Sequence, residues 1–73
     1  MVKELDRIIL NIDIPGKNLK KGDIGTVVMI HNNGGGYEVE FVMLDGQTLS
    51  VETLKAEEVR EIRKRAIAHA RVL

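Results

Sequence analysis

The chain has 73 residues, enough for one small domain, and its 11 lysine and arginine side chains are balanced by 11 aspartates and glutamates. It contains no cysteine, which excludes a disulfide framework and any cysteine-ligated metal centre. No apolar run approaches the roughly 20 residues of a membrane-spanning helix, and Met1–Arg7 is too charged for the apolar stretch of a signal peptide, so a cytoplasmic location is expected.

Aromatic residues are limited to Tyr37 and Phe41, so the core must be built from isoleucine, valine, leucine and methionine. The first predicted element runs from Leu5 to Ile14. Its residues Ile8, Leu10, Ile12 and Ile14 recur at the period of a strand. Pro15-Gly16 stops it. Lys17 to Lys21 is then a polar connection from which Leu19 tucks back into the core.

Gly22-Asp23 is a turn signal, and a β-branched run from Ile24 to Ile30 follows as the second strand. Gly25 lies inside that run. A glycine within a strand weakens it and marks a bulge or a close approach of two backbones, as a small barrel needs in order to bend. His31-Asn32-Asn33-Gly34-Gly35-Gly36 reads as a hairpin loop supplying positive φ. Tyr37 to Leu44 is the third strand: Tyr37, Val39, Phe41 and Met43 point one way, Glu38 and Glu40 the other, joined by Val42 and Leu44. Asp45-Gly46 is a second hairpin signal. Gln47 to Leu54 returns as the fourth strand, with Leu49 and Val51 inward. The expected core is Ile8, Leu10, Ile24, Val28, Val39, Phe41, Leu49 and Val51.

From Lys55 the period changes. Val59, Ile62, Ala66, Ala70 and Leu73 recur at steps of three and four, with Ile67 beside them, which is one apolar stripe of a helix. Thr53 suits its cap, Glu57 and Glu58 its first turn, and His69 and Arg71 its C-terminal end. The predicted organisation is therefore a five-stranded SH3-like β-barrel over residues 1–55 and an amphipathic C-terminal α-helix over 56–73. A short last strand around Val59 to Ile62, with the helix starting after it, is the competing reading.

The segments Leu19-x-x-Gly22-Asp23-Ile24-Gly25-Thr26-Val27-Val28, Gly36-Tyr37-Glu38-Val39-Glu40-Phe41 and Asp45-Gly46-x-Thr48 together resemble a bacterial family known as domain of unknown function 4926. The resemblance spans about Leu5 to Val59. It implies an SH3-like barrel and, as the family's name says, no established activity. The Gly-Asp-x-Gly-Thr-Val element also recurs in other SH3-like barrels, including KOW-type RNA-binding modules, so it speaks for fold more than for function.

Charge is unevenly spread. Residues 1–62 carry 7 basic against 11 acidic side chains, whereas residues 63–73 carry Arg63, Lys64, Arg65 and Arg71 and no acid. A basic tail on an acidic body points to the tail lying on its own domain or on a second copy, or else to an anionic partner. No catalytic constellation accompanies it. His31 and His69 stand alone, without a cysteine, serine or second-histidine motif, and read as solvated. The glycine-rich loop at 32–36 joins two strands, whereas phosphate-cradling loops lead into a helix N-terminus. No metal, cofactor or small-molecule substrate is expected. Two binding surfaces follow. For a protein partner, or a second copy forming a homodimer, the candidates are the tail stripe of Val59, Ile62, Ala66, Ile67 and Ala70 and the acidic face of Glu38 and Glu40. For nucleic acid, the alternative reading, they are Lys17, Lys20 and Lys21 with Arg63, Lys64, Arg65 and Arg71; the pI near 6.7 and the lack of stacking aromatics weigh against it.

Overall fold

The computed structural model describes residues 2–62 and 65–73. Five strands form one antiparallel sheet: β1 (Arg7–Leu10), β2 (Ile24–His31), β3 (Gly36–Val42), β4 (Thr48–Lys55) and β5 (Val59–Glu61), in the order β4-β3-β2-β1-β5. Successive strands from β1 to β4 are neighbours, and the chain then returns to place β5 on the far side of β1. The number of strands matches the expectation, but the sheet is unclosed: β4 and β5 end the order without pairing to each other.

The core lies on one face of this curved sheet and contains Ile8, Leu10, Leu19, Val27, Tyr37, Val39, Phe41, Leu54 and Val59. Ile12, Ile14, Ile30 and Leu49 pack around it. Leu19 turns inward as its position among polar neighbours suggested, anchored by a bridge between Ile14 and Leu19. Gly25 is the point of closest approach. A Cβ at that position would stand 2.5 Å from Val39 Cγ1 and 2.8 Å from Phe41 Cε1, so only glycine lets β2 pass this close to the core.

The hairpins form where the turn signals stand. Asn32, Asn33 and Gly34 take φ of 50°, 54° and 103°, the left-handed conformation that asparagine and glycine tolerate. At the second hairpin Gly46 has φ 91° and Asp45 accepts the Gln47 N–H at 2.9 Å.

Two expected core residues lie on the surface, and both strands that carry them are bulged. The β2–β3 register slips between Val27 and Met29, and the β3–β4 register slips between Phe41 and Val42. Each slip inserts a residue and reverses the inward phase along the strand. In β2 the inward places before the bulge are Gly25 and Val27, so Val28 faces out, and beyond the bulge the inward place passes to Ile30. In β4 the extra residue Leu49 moves the inward places to Ser50, Glu52 and Leu54, so Val51 faces out. Val28 and Val51 are 42% and 51% exposed. Ile24 and Leu49 are half-buried. The β4 bulge has a second consequence: Glu52, opposite Val39, falls on the inward side and receives a hydrogen bond from Ser50. A bulge and an inward carboxylate on an edge strand both discourage another strand from adding there.

Among the described residues the expected C-terminal helix is absent. Leu10 pairs with Val59, Ile9 with Arg60 and Ile8 with Glu61, and the Asn11 N–H bonds Glu58 O at 2.8 Å. These bonds satisfy the free edge of β1, which a helix could not do, and Val59 enters the core at 8% exposure. The apolar stripe loses its first member to the sheet. What remains is too short to stand as a helix in water without a face to pack on, and residues 66–73 take neither helix nor strand. The competing reading of a short final strand holds for Val59–Glu61; its later helix does not.

Candidate functional site

The outer face of β2, β3 and β4 carries an ordered array of side chains. Side chains there come from alternate positions, and cross-strand register groups them into rows. Met29, Glu38 and Thr53 make one row; Thr26, Glu40 and Val51 make the next; Val42 and Thr48 close the end. The threonines of β4 hold the glutamates of β3. Thr53 Oγ1 lies 2.9 and 2.8 Å from the two Glu38 carboxylate oxygens, and Thr48 Oγ1 donates to Glu40 Oε2 at 2.7 Å. From the β2 side, His31 Nε2 donates to Glu38 Oε2 at 2.8 Å. The Thr53 hydroxyl and then the His31 ring hold the Glu38 carboxyl below the ordinary glutamate range, because both donors favour its charged form.

Glu38 and Glu40 are thus oriented carboxylates rather than freely swinging ones. Around them Val28, Met29, Val42 and Val51 are all exposed apolar side chains. Among the described residues, the cations in register with this face stand at its margins: Arg7 across from Thr26, and Lys55 across from Gly36. The face therefore combines fixed negative charge with apolar area.

The second predicted surface is dispersed. Val59 is in the core and Ile62 is half-buried. Ala66, Ile67 and Ala70 are exposed along the irregular tail. They form no common stripe, because the helix that would align them is absent.

Of the basic residues, Lys17, Lys20 and Lys21 are exposed on the connection between β1 and β2. The tail brings Arg71 to the same connection. Arg71 Nε and Nη2 donate to Asp23 Oδ1 and Oδ2 at 2.8 and 2.7 Å, and Nη2 also reaches Asn18 O at 2.5 Å. Arg71 lowers the Asp23 pKa through these bonds, against a smaller opposing effect of burial, and the Arg71 pKa is raised in return. Arg65 is exposed, while Arg63 and Lys64 lie outside the described residues. Sequence reasoning did not single out Asp23, Asn18, Thr48 or Thr53 as partners, and it read His31 as solvated. For Thr48, Thr53 and His31 the only signal available was the register of the hairpins, which the bulges conceal, and for Asp23 and Asn18 there was none beyond the opposite charge of the tail.

No group of three or more histidine, aspartate or glutamate side chains among the described residues is placed to hold a metal ion. No helix among them is long and apolar enough to cross a membrane.

Together these features define a small all-β domain: one open antiparallel sheet, a compact aliphatic core, and an outer face of oriented carboxylates in apolar surroundings. Comparison with known families matches residues 4–61 to the family described as Domain of unknown function (DUF4926). The chain belongs to that family, as its sequence motifs suggested. No curated protein and no solved structure matches it.

Proposed function

We propose that this domain is a non-enzymatic protein-interaction module, an SH3-like barrel left open between β4 and β5, and that its outer β2–β3–β4 face docks a partner protein through a cationic surface. One observation carries the reading. Glu38 and Glu40 are held by Thr53, His31 and Thr48 while flanked by exposed Met29, Val42 and Val51. A solvating surface has no need of immobilised carboxylates. A docking surface gains from them, because their orientation is set before the partner arrives and their charge steers it in. The partner is a protein of opposite charge, or a second copy presenting its basic tail.

The test is purification of tagged protein from its own cells at moderate salt, with and without nuclease. The wild type is compared with the variant carrying Glu38→Gln and Glu40→Gln. A stoichiometric protein that survives nuclease and is lost with the double variant supports the reading. Equal retention by both refutes the assignment to this face.

A KOW-like nucleic-acid reading has one observation in its favour: Lys17, Lys20, Lys21 and Arg71 converge on one connection. Asp23 engages Arg71 there, however, and Asp13 receives the Lys21 N–H at 2.8 Å, so carboxylates sit within the cluster. Nucleic acid released by salt from the same purification would favour this alternative.

A further inference from the structure

The structure assigns the connection between β1 and β2 as an arginine-binding site, whose resident ligand is the chain's own Arg71 and whose competitor is an arginine of a partner protein. The site is separate from the outer face. Its acceptors are the two oxygens of Asp23 and the carbonyl of Asn18, and the guanidinium of Arg71 fills all three. That is the planar fork arrangement that arginine satisfies and lysine does not.

The loop builds these acceptors from its own bonds. The Lys20 N–H donates to Asp23 Oδ2 at 2.8 Å, and the Asp23 N–H returns to Lys20 O at 3.0 Å, so the carboxylate is oriented by its own turn. Gly22 N–H bonds Leu10 O and Leu10 N–H bonds Asp23 O, both at 2.8 Å, clamping the turn to β1. Asn18 adopts φ 58°, which turns its peptide out of the preceding 3-10 turn at Pro15–Lys17. With Arg71 in place the Asp23 side chain is 18% exposed and that of Arg71 31%. Beside Asp23 runs a cleft of about 290 Å³ lined by Asp13, Pro15, Asn18, Leu19, Lys20 and Arg71 itself. Pro15 and Leu19 give it apolar walls against which the stem of an arginine can lie.

The resident is secured through its guanidinium, while the backbone that carries it has no regular structure. Residues 66–73 carry no helix or strand, and Ile67 and Val72 on either side of Ala70-Arg71 are almost fully exposed. The tail is thus a strap fastened at Arg71. A partner's arginine can replace it without disturbing the sheet, and replacement frees the basic tail.

The test is NMR titration of the ¹⁵N-labelled full chain with Nα-acetyl-arginine methylamide. In Arg71→Ala the probe should bind with saturable shifts at the Asn18, Lys20 and Asp23 amides. If the strap is closed in about nine wild-type molecules of ten, apparent affinity in wild type is about tenfold weaker, since only the open fraction can bind. Adding Asp23→Asn to R71A should abolish the shifts, and Nα-acetyl-lysine methylamide should bind R71A more weakly than the arginine probe. A folded R71A chain with no saturable shift at these amides, or with shifts that persist in the D23N background, overturns the proposal. So does an R71A chain that loses its dispersed spectrum, because a strap needed for folding is not releasable. Arg71→Lys provides a second measure: it should bind the arginine probe more tightly than wild type, and wild-type behaviour would count against the fork.

Discussion

Substituting Gly25 tests the packing at the centre of the sheet. A strand alanine is ordinarily favoured over glycine by about 0.5–1 kcal/mol, because glycine loses more conformational freedom on folding. Here the added methyl would stand 2.5 Å from Val39 Cγ1 and 2.8 Å from Phe41 Cε1. Val39 is fully buried and Phe41 nearly so, so neither can swing into solvent to make room. Overpacking of this kind costs about 1–3 kcal/mol. The clash therefore outweighs the propensity gain, and Gly25→Ala should destabilise the domain by roughly 1–2 kcal/mol. Urea unfolding followed by circular dichroism would measure it, with an unchanged slope showing that the midpoint shift reports stability. The double variant with Val39→Ala sharpens the test. Removing the two Val39 methyls alone leaves a cavity, but the methyl introduced by Gly25→Ala then occupies part of that space. The double variant should accordingly be more stable than the sum of the single changes by about 0.5–3 kcal/mol. A Gly25→Ala protein as stable as wild type, or strict additivity in the cycle, would refute the close approach of β2 to Val39.

Two further outcomes are expected. Val59→Ala should cost about 2 kcal/mol, from two buried methyls and the space they leave, whereas Ile67→Ala should change stability by less than about 0.5 kcal/mol; thermal unfolding of the two variants would reverse this order only if the apolar stripe of 59–73 packed as a helix. The Glu38 carboxyl is held below its ordinary range by Thr53 and His31, so it favours the folded state at neutral pH, and this contribution fades as acid takes the pH through that lowered value. In Thr53→Val the Glu38 titration should move upward in carboxyl-detected NMR and the acid limb of stability should become less steep; an unmoved titration would show that the threonine does not hold the carboxylate.

Local signals place β2, β3, β4 and the two hairpins, whereas they extend β1 over Leu5–Ile14 where it spans Arg7–Leu10 and leave β5 as the alternative to a helix. Alternation marks Tyr37–Phe41, Asn33-Gly34 and Asp45-Gly46 mark the two hairpins, and Gly25 within its strand marks a bulge or a close approach, of which the structure has the close approach. The Gly22–Val28 and Gly36–Phe41 segments also pointed to the correct family. These features depend on a residue's own backbone preferences or on neighbours a few positions away, and so they are written in the chain.

What the tertiary structure decided is where side chains go once strands pair. The bulge at Leu49 shifts the alternation of β4 by one residue, which moves Val51 outward and brings Leu54 in, and in β2 the inward phase falls on Gly25 and Val27, which leaves Val28 outside; no periodicity shows either in advance. Thr53 meets Glu38 across 15 positions, and Arg71 meets Asp23 across 48, only because strand register and the path of the tail bring them together. The segment from Val59 shows the same contest most plainly. Its sequence has the spacing of an amphipathic helix, but the unpaired edge of β1 and a vacant place in the core were available to Val59. A sheet that satisfies backbone groups and buries a valine outweighs a helical stripe with nothing to pack against.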